Sequence, residues 1–181
     1  IKRSVELLRD NEEVRRRIQS RFSVILVDEY QDSNVAQYAL LKLLYGPQTY
    51  LCVVGDDDQS IYRFRGAEVR NIISFPDEFA GTEIIRLERN YRSTETILAI
   101  AGEVVAKNQD RLGKTLWTEL GEGTEASIVY VRDQDEEAEY CARLLDDGNL
   151  EGTAILYRTN AQSRSFETLF LRRGIPYKIV G

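Results

Sequence analysis

Two acidic clusters stand out for what their side chains could do: Asp28, Glu29 and Asp32 in VILVDEYQDSN, and Asp56, Asp57 and Asp58 ahead of Gln59 in VVGDDDQSIYRFRGA. An aspartate at the end of a buried strand can hold a magnesium ion through water, because that ion keeps most of its hydration and takes few protein ligands. A neighbouring glutamate can orient or deprotonate a water for attack on a phosphoryl group. The chain has no histidine, so any catalysis falls to carboxylates, lysines or arginines. Taken alone, either cluster could equally be a solvated turn that caps a helix. Each, however, follows a short apolar run, Val24 to Val27 and Tyr50 to Val54, with the composition of a strand buried on both faces of a parallel sheet. Ligands in open α/β sheets bind outside the C-terminal ends of the strands, so two adjacent ends would aim carboxylates and an amide into one crevice.

Two further stretches carry chemistry of another kind. Tyr62, Phe64 and Arg65 interleave aromatic and cationic side chains within one turn. That mixture suits sequence-tolerant binding of a single strand, since every base offers a π face and every nucleotide a phosphate. In NYRS, Tyr91 could stack on a nucleobase and Arg92 could reach a phosphate, where an arginine contributes strongly to phosphoryl transfer. Core aromatics beside surface arginines would give the same letters.

The elements that must position these residues can be read from periodicity. The first twenty or so residues form a helix or helix pair with Val5, Leu8, Val14 and Ile18 as the buried stripe. Asn34 and Gln37 have capping-box spacing ahead of an apolar helix that runs to Tyr45 and stops at Gly46-Pro47. Ile84 to Leu87 reads as a strand, and Ile97, Ile100, Ala101, Val104 and Val105 as one face of a helix capped by Ser93. Strands at Ser127 to Val131, Ala154 to Tyr157 and Tyr177 to Val180 alternate with a helix bearing Ala138, Cys141, Ala142 and Leu145. A last helix, capped by Asn160, carries Phe166, Leu169 and Phe170 and is closed by Gly174 and Pro176. Alternation of this kind implies parallel α/β layers. The stretch FPDEFAGTE, Phe75 to Glu83, is the expected boundary between two α/β units, 1–82 and 83–181, the second being the more self-sufficient.

The 181 residues can bury one good core or two modest ones. A formal charge of −6 argues against coating nucleic acid by bulk electrostatics, while leaving room for a local groove of arginines and aromatics. Cys52 and Cys141 lie within apolar patterns and read as reduced core residues. No apolar stretch reaches the ~18 residues of a membrane span and no signal peptide opens the chain, so the expected compartment is the cytoplasm.

The ordered set VILVDEYQDSN, VVGDDDQSIYRFRGA, IRLERNYRST, RLGKTLW and AILYRTNAQSR closely resembles the UvrD/PcrA/Rep group of superfamily 1 DNA helicases, from just before motif II to beyond motif IV, over nearly the whole chain. The resemblance implies parts of two RecA-like P-loop NTPase motor domains, with parallel sheets flanked by helices. It implies ATP and Mg2+ as cofactors, and single-stranded DNA and duplex junctions as substrates, with translocation from 3′ to 5′. Repair or replication proteins would be recruited through the parent chain. Asp28 matches the magnesium-holding aspartate and Glu29 the water-activating glutamate. Gln59 matches the γ-phosphate sensor. Tyr62, Phe64 and Arg65 match the single-strand site, with Phe64 standing where many relatives have tryptophan, so that stacking is kept and the indole donor lost. Tyr91 matches the adenine-stacking residue and Arg92 the arginine on the γ-phosphate, while Arg158 and Asn160 match a DNA-contacting segment of the second domain.

One motif of that family has no match. Gly113-Lys114-Thr115 ends like a phosphate loop, but Asn108 stands at the position of the loop's first glycine, and the segment follows a helix instead of a strand. With this gap, and with no methionine even at position 1, an internal piece of a larger helicase is expected, inactive by itself for want of the phosphate-cradling backbone. An unfilled slot in the first sheet would leave edges open to pairing with another chain. Two alternatives stay open: a helicase-like nucleic-acid-binding scaffold without turnover, and the motor subunit of a helicase-nuclease complex.

Overall fold

A computed structural model describes residues 1–108, 111–145, 150 and 152–180. Its compact units are Ile1–Glu125 and Ala126–Gly181.

In the first unit, α1 (Lys2–Asp10) and α2 (Glu12–Gln19) are separated by Asn11, whose extended backbone breaks the run. The expected stripe faces inward, with Leu8 buried and Val5, Val14 and Ile18 half-buried. β1 (Val24–Val27) and β2 (Tyr50–Val53) pair in parallel, Val24 opposite Tyr50 and Val27 opposite Val53. Between them α3 (Val35–Leu44) makes the crossover, opened by the expected capping box: Asn34 Oδ1 accepts from the Ala36 and Gln37 amides, and the Gln37 side chain accepts from Asn34 N–H. At its other end the Gln19 amide donates to the Leu43 and Tyr45 carbonyls, both at 2.9 Å, satisfying acceptors that the helix leaves open.

One face of this pair is covered. Ile25, Val27, Leu51 and Val53 pack on a core of Tyr30, Leu41, Ile72 and Phe75. The opposite face is open, with Leu26 73% exposed and Val24 and Tyr50 also exposed, which corrects the expectation of strands buried on both faces. Two strands with helices on one side leave the alternate side chains nothing to pack against. The expected boundary at Phe75 to Glu83 begins instead with core. After α4 (Arg70–Ile73), the short helix α5 (Phe75–Glu78) sends Phe75 edge-on against Tyr30 at 5.6 Å and stacks it on Phe79 at 4.5 Å.

The expected strand at Ile84 to Leu87 makes no ladder, and Ile84, Ile85 and Leu87 are exposed. Its neighbour Arg89 instead forms a single parallel bridge with Trp117. α6 (Glu95–Val105) forms as expected, but it is capped at Thr94 without a side-chain bond, not by Ser93. Backbone carbonyls of Gly121 and Glu122 take over that role, accepting from the Glu95 and Thr96 amides at 2.9 and 3.1 Å. Its apolar stripe of Ile97, Ile100, Ala101 and Val104 is exposed.

In the second unit, α7 (Gln134–Leu145) and α8 (Ser163–Arg173) share a core of Ala138, Ala142, Phe166, Leu169 and Phe170, with Cys141, Leu145, Ile155 and Ile175 against it. A 3₁₀ turn, Asn160–Gln162, precedes α8, so Asn160 lies inside the turn and Thr159 occupies the capping position expected for it. Gly174, at φ 68°, ends α8 in a left-handed conformation that puts the Ile175 N–H 2.9 Å from the Phe170 carbonyl. The segments at 127–131, 154–157 and 177–180 form no ladder. The ladder among the described residues lies wholly in β1 and β2. β-branched composition prepares a chain for a sheet but does not form one without a neighbouring strand. Both cysteines are free and half-buried.

The core makes two contrasting predictions for thermal or denaturant unfolding. Phe75→Ala removes a buried ring and should cost about 3–5 kcal/mol. Tyr30→Phe should be neutral or stabilising: the buried Tyr30 hydroxyl has no hydrogen-bond partner and burial pushes its pKa up to about 12, so the substitution removes an unsatisfied polar group.

Candidate functional site

The chain leaves β1 through a bend at Asp28 and turns sharply at Glu29, whose φ of 48° and ψ of 42° are left-handed. Among the described residues it is the one non-glycine with positive φ. Side chains at such angles cost energy that surrounding contacts must offset. Here Asp28 Oδ1 accepts the Glu29 N–H at 2.9 Å, the Glu29 carbonyl accepts from Asp32 N–H at 2.9 Å, and Gln31 Nε2 donates to Glu29 Oε2 at 2.6 Å. Both acids remain exposed to solvent.

Gln31, only 1% exposed, joins this turn to the end of β2. Its Oε1 accepts the Asp56 N–H at 3.0 Å while its amide holds Glu29, and the Tyr30 N–H donates to the Val54 carbonyl alongside. Gly55 permits the approach: a Cβ there would lie 2.5 Å from Gln31 Oε1, 2.7 Å from Ile72 Cδ1 and 3.2 Å from the Tyr30 nitrogen. Asp56 accepts in turn from the Asp58 N–H through Oδ1 (3.0 Å) and from the Gln59 amide through Oδ2 (2.7 Å). A continuous chain of hydrogen bonds therefore runs Glu29–Gln31–Asp56–Gln59. The two strand ends do meet, as expected from their sequences.

The acids of the second cluster differ from the expectation. Instead of facing an open crevice, they are occupied by residues 111–114. Arg111 makes a two-pronged pair with Asp58 at 2.6 and 2.7 Å, Lys114 pairs with Asp56, and the Leu112 N–H donates to Asp57. The Arg111 hydrogen bond holds the Asp58 carboxyl below the usual aspartate range against the opposing effect of burial. The carboxylates left exposed at the strand ends are Asp28 and Glu29. Asp28 Oδ2 has no hydrogen-bond partner among the described residues, which suits a carboxylate that meets a hydrated magnesium ion through one oxygen.

Tyr62, Phe64 and Arg65 do cluster around one 3₁₀ turn, Arg63–Arg65. The Arg65 guanidinium lies 4.9 Å from the Tyr62 ring centre and 5.4 Å from that of Phe64, and Phe64 is 73% exposed. Tyr91 is likewise 74% exposed, its ring met by the Arg89 guanidinium at 4.7 Å, which also lies over Trp117 at 5.4 Å and pairs with Glu119. Asn90 Oδ1 ties down the loop through the Arg92 and Ser93 amides. The Arg92 guanidinium makes no ion pair among the described residues, and neither it nor Tyr91 is hydrogen-bonded to the acidic turn. Arg158 and Asn160 belong to the other unit, where Gln162 Oε1 accepts from the Arg158 N–H at 3.0 Å and both residues are exposed. Arg89 and Arg111 escaped sequence reasoning, and Gln31, an amide two residues beyond the glutamate, stood out there only as a signature glutamine without a structural role.

Residues 1–80 match the family described as UvrD/REP helicase N-terminal domain, and residues 85–181 match the UvrD-like helicase C-terminal domain. The chain belongs to the UvrD-like helicase family. Its α/β architecture is RecA-like. It is 47% identical over 182 residues to a probable DNA helicase II homolog of Rickettsia conorii, covering 97% of this chain and 28% of that protein. It is 44% identical over 184 residues to DNA helicase II of Escherichia coli, covering 99% and 26%. With the ATP-dependent DNA helicase UvrD1 of Mycobacterium tuberculosis it shares 48% over 175 residues, covering 89% and 23%. The chain thus spans about a quarter of the length of these relatives.

Because the native Asp58 carboxyl is lowered from an ordinary value of 3.8, its contribution to stability is present above that value and is lost as pH falls through the native one. Asp58→Asn should therefore lower the melting temperature at neutral pH, with the gap from the unsubstituted chain closing as the pH falls through the lowered native pKa of Asp58. Gly55→Ala should destabilise by about 1–3 kcal/mol through overpacking against Gln31 and Ile72, readable in the same melts.

Proposed function

We propose that this chain is the central part of an ATP-dependent DNA helicase that moves 3′ to 5′ along single-stranded DNA and separates the duplex ahead of it. The observation that carries the reading is the hydrogen-bond chain Glu29–Gln31–Asp56–Gln59, which links a water-activating carboxylate to a phosphate-sensing amide. The relatives named DNA helicase II support the same reading. A scaffold without turnover would have no use for a glutamate held in a strained turn at a strand end, with its carboxylate hydrogen-bonded and exposed.

In this mechanism Asp28 holds magnesium through water, and the ion, when bound, neutralises charge on the nucleotide's phosphates. Glu29 orients the attacking water and accepts its proton. Gln59 senses the γ-phosphate, Arg92 offers it a positive charge, and Tyr91 stacks on the adenine. Tyr62, Phe64 and Arg65 bind the DNA strand by stacking and charge, joined by Arg158 and Asn160. ATP favours closure of two motor domains, divided near residues 82 and 83, and its hydrolysis reopens them, so that DNA contacts tighten alternately. Duplex junctions are the working substrate, and repair or replication proteins would act through the rest of the parent protein. No helix among the described residues is long and apolar enough to cross a membrane, and we place the protein in the cytoplasm, with its DNA. Alone, the chain should not turn over ATP, because no stretch of its sequence matches the phosphate loop whose backbone would cradle the phosphates.

The test is single-strand-stimulated ATP hydrolysis by the complete parent protein. Glu29→Gln should lower kcat by about 10²-fold or more, with nucleotide binding retained. Absence of turnover in the unsubstituted parent protein would sink the motor reading. In the same protein Phe64→Ala should weaken single-strand binding by about 1–3 kcal/mol, measured by fluorescence anisotropy, with little effect on DNA-free turnover.

A further inference from the structure

Gly113-Lys114-Thr115 fails as a phosphate loop, yet Lys114 is half-buried and fully engaged. Residues 111–114 reach each of three successive carboxylates: Arg111 grips both oxygens of Asp58, the Leu112 N–H donates to Asp57 at 2.9 Å, and Lys114 pairs with Asp56 and stands 3.7 Å from Asp58. The carboxylate oxygens of Asp56, Asp57 and Asp58 lie within 4.8 Å of one another, a spacing that could suit a metal ion. Two cationic side chains already supply that positive charge. Asp58 is 7% exposed, so its charge depends on Arg111, and a two-pronged guanidinium pair fixes direction as well as charge.

The consequence reaches Gln59. Asp56 is shared, with Lys114 on Oδ1 and the Gln59 amide on Oδ2 at 2.7 Å. Asp56 and Gln59 fall in the stretch matching the N-terminal helicase domain, while Arg111 and Lys114 fall in the stretch matching the C-terminal one. We propose that Arg111 and Lys114 are positioning residues: they clasp Asp56, Asp57 and Asp58 so that Gln59 is held in place beyond β2, coupling the segment after α6 to the phosphate-sensing side chain. The inference rests on the role given to Gln59 under the proposed function. Arg111 and Lys114 act through Asp56 and Asp58, the side chains they pair with.

The complete parent protein provides the test, read by hydrogen exchange at the Gln59 and Ser60 amides and by single-strand-stimulated ATP hydrolysis. Arg111→Ala should speed exchange at both amides and lower kcat about tenfold, with KM for ATP little changed, as expected when a transition-state contact is misplaced without loss of ground-state binding. Arg111→Lys keeps the charge but gives up the second prong, and should fall between the two. If Arg111→Ala fails to fold, the lysine variant carries the test. The charge exchange Asp58→Arg with Arg111→Asp should recover protection and turnover relative to either single change. Wild-type exchange in a folded Arg111 variant would overturn the clasp. Faster exchange with unchanged kcat would overturn its coupling to Gln59. Absence of turnover in the unsubstituted protein would instead defeat the helicase reading, and exchange alone would then decide whether the clasp holds the segment.

Discussion

The buried carboxamide of Gln31 is the joint on which the functional end of the first unit depends. Two parallel strands end side by side, but a strand pair fixes only the backbone up to Val27 and Val53. Beyond that point the chain must turn twice without losing alignment. Gln31 does this by presenting a donor to one turn and an acceptor to the other from a position sealed off from water, where an unmade hydrogen bond is costly. Its burial needs a glycine at 55, its donor holds Glu29 in a left-handed turn, and its acceptor aims the backbone of Asp56. An apolar residue of the same size would fill the space and leave both turns without their common partner.

Charge at this end of the sheet is divided between two kinds of carboxylate. Asp28 and Glu29 stay exposed and are held mainly through single oxygens, which leaves them able to meet an ion and a water. Asp56, Asp57 and Asp58 are taken up by a guanidinium, an ammonium and a backbone amide. Five acids so close together would repel one another, and two cations and a backbone amide engaging three of them internally ease the local field while the other two remain available. The overall charge of −6 conveys none of this division.

The exposed aromatics make the same point for the proposed DNA and base contacts. Phe64 and Tyr91 each stand largely in solvent with an arginine against the ring. A guanidinium over a ring limits its rotation without covering both faces, so a π surface is kept ordered and accessible. A core role for these residues, which their letters alone permitted, is excluded by their exposure.

By itself the sequence determined what is encoded within a few residues: the capping box at Asn34, the helical stripe around Leu8, the apolar runs of β1 and β2, the aromatic and arginine cluster around Phe64, and the acids that follow the strands. Ordered motifs added the family. Only the tertiary structure decided which strand-like segments find a ladder, because pairing requires a neighbour and β-branched residues at 84–87 or 127–131 do not provide one. Likewise, whether an acid is available or neutralised depends on a cation more than fifty positions away, as between Asp58 and Arg111. Periodicity and capping act over a turn or two of chain, whereas ladders and ion pairs are settled by which distant segments share the same space.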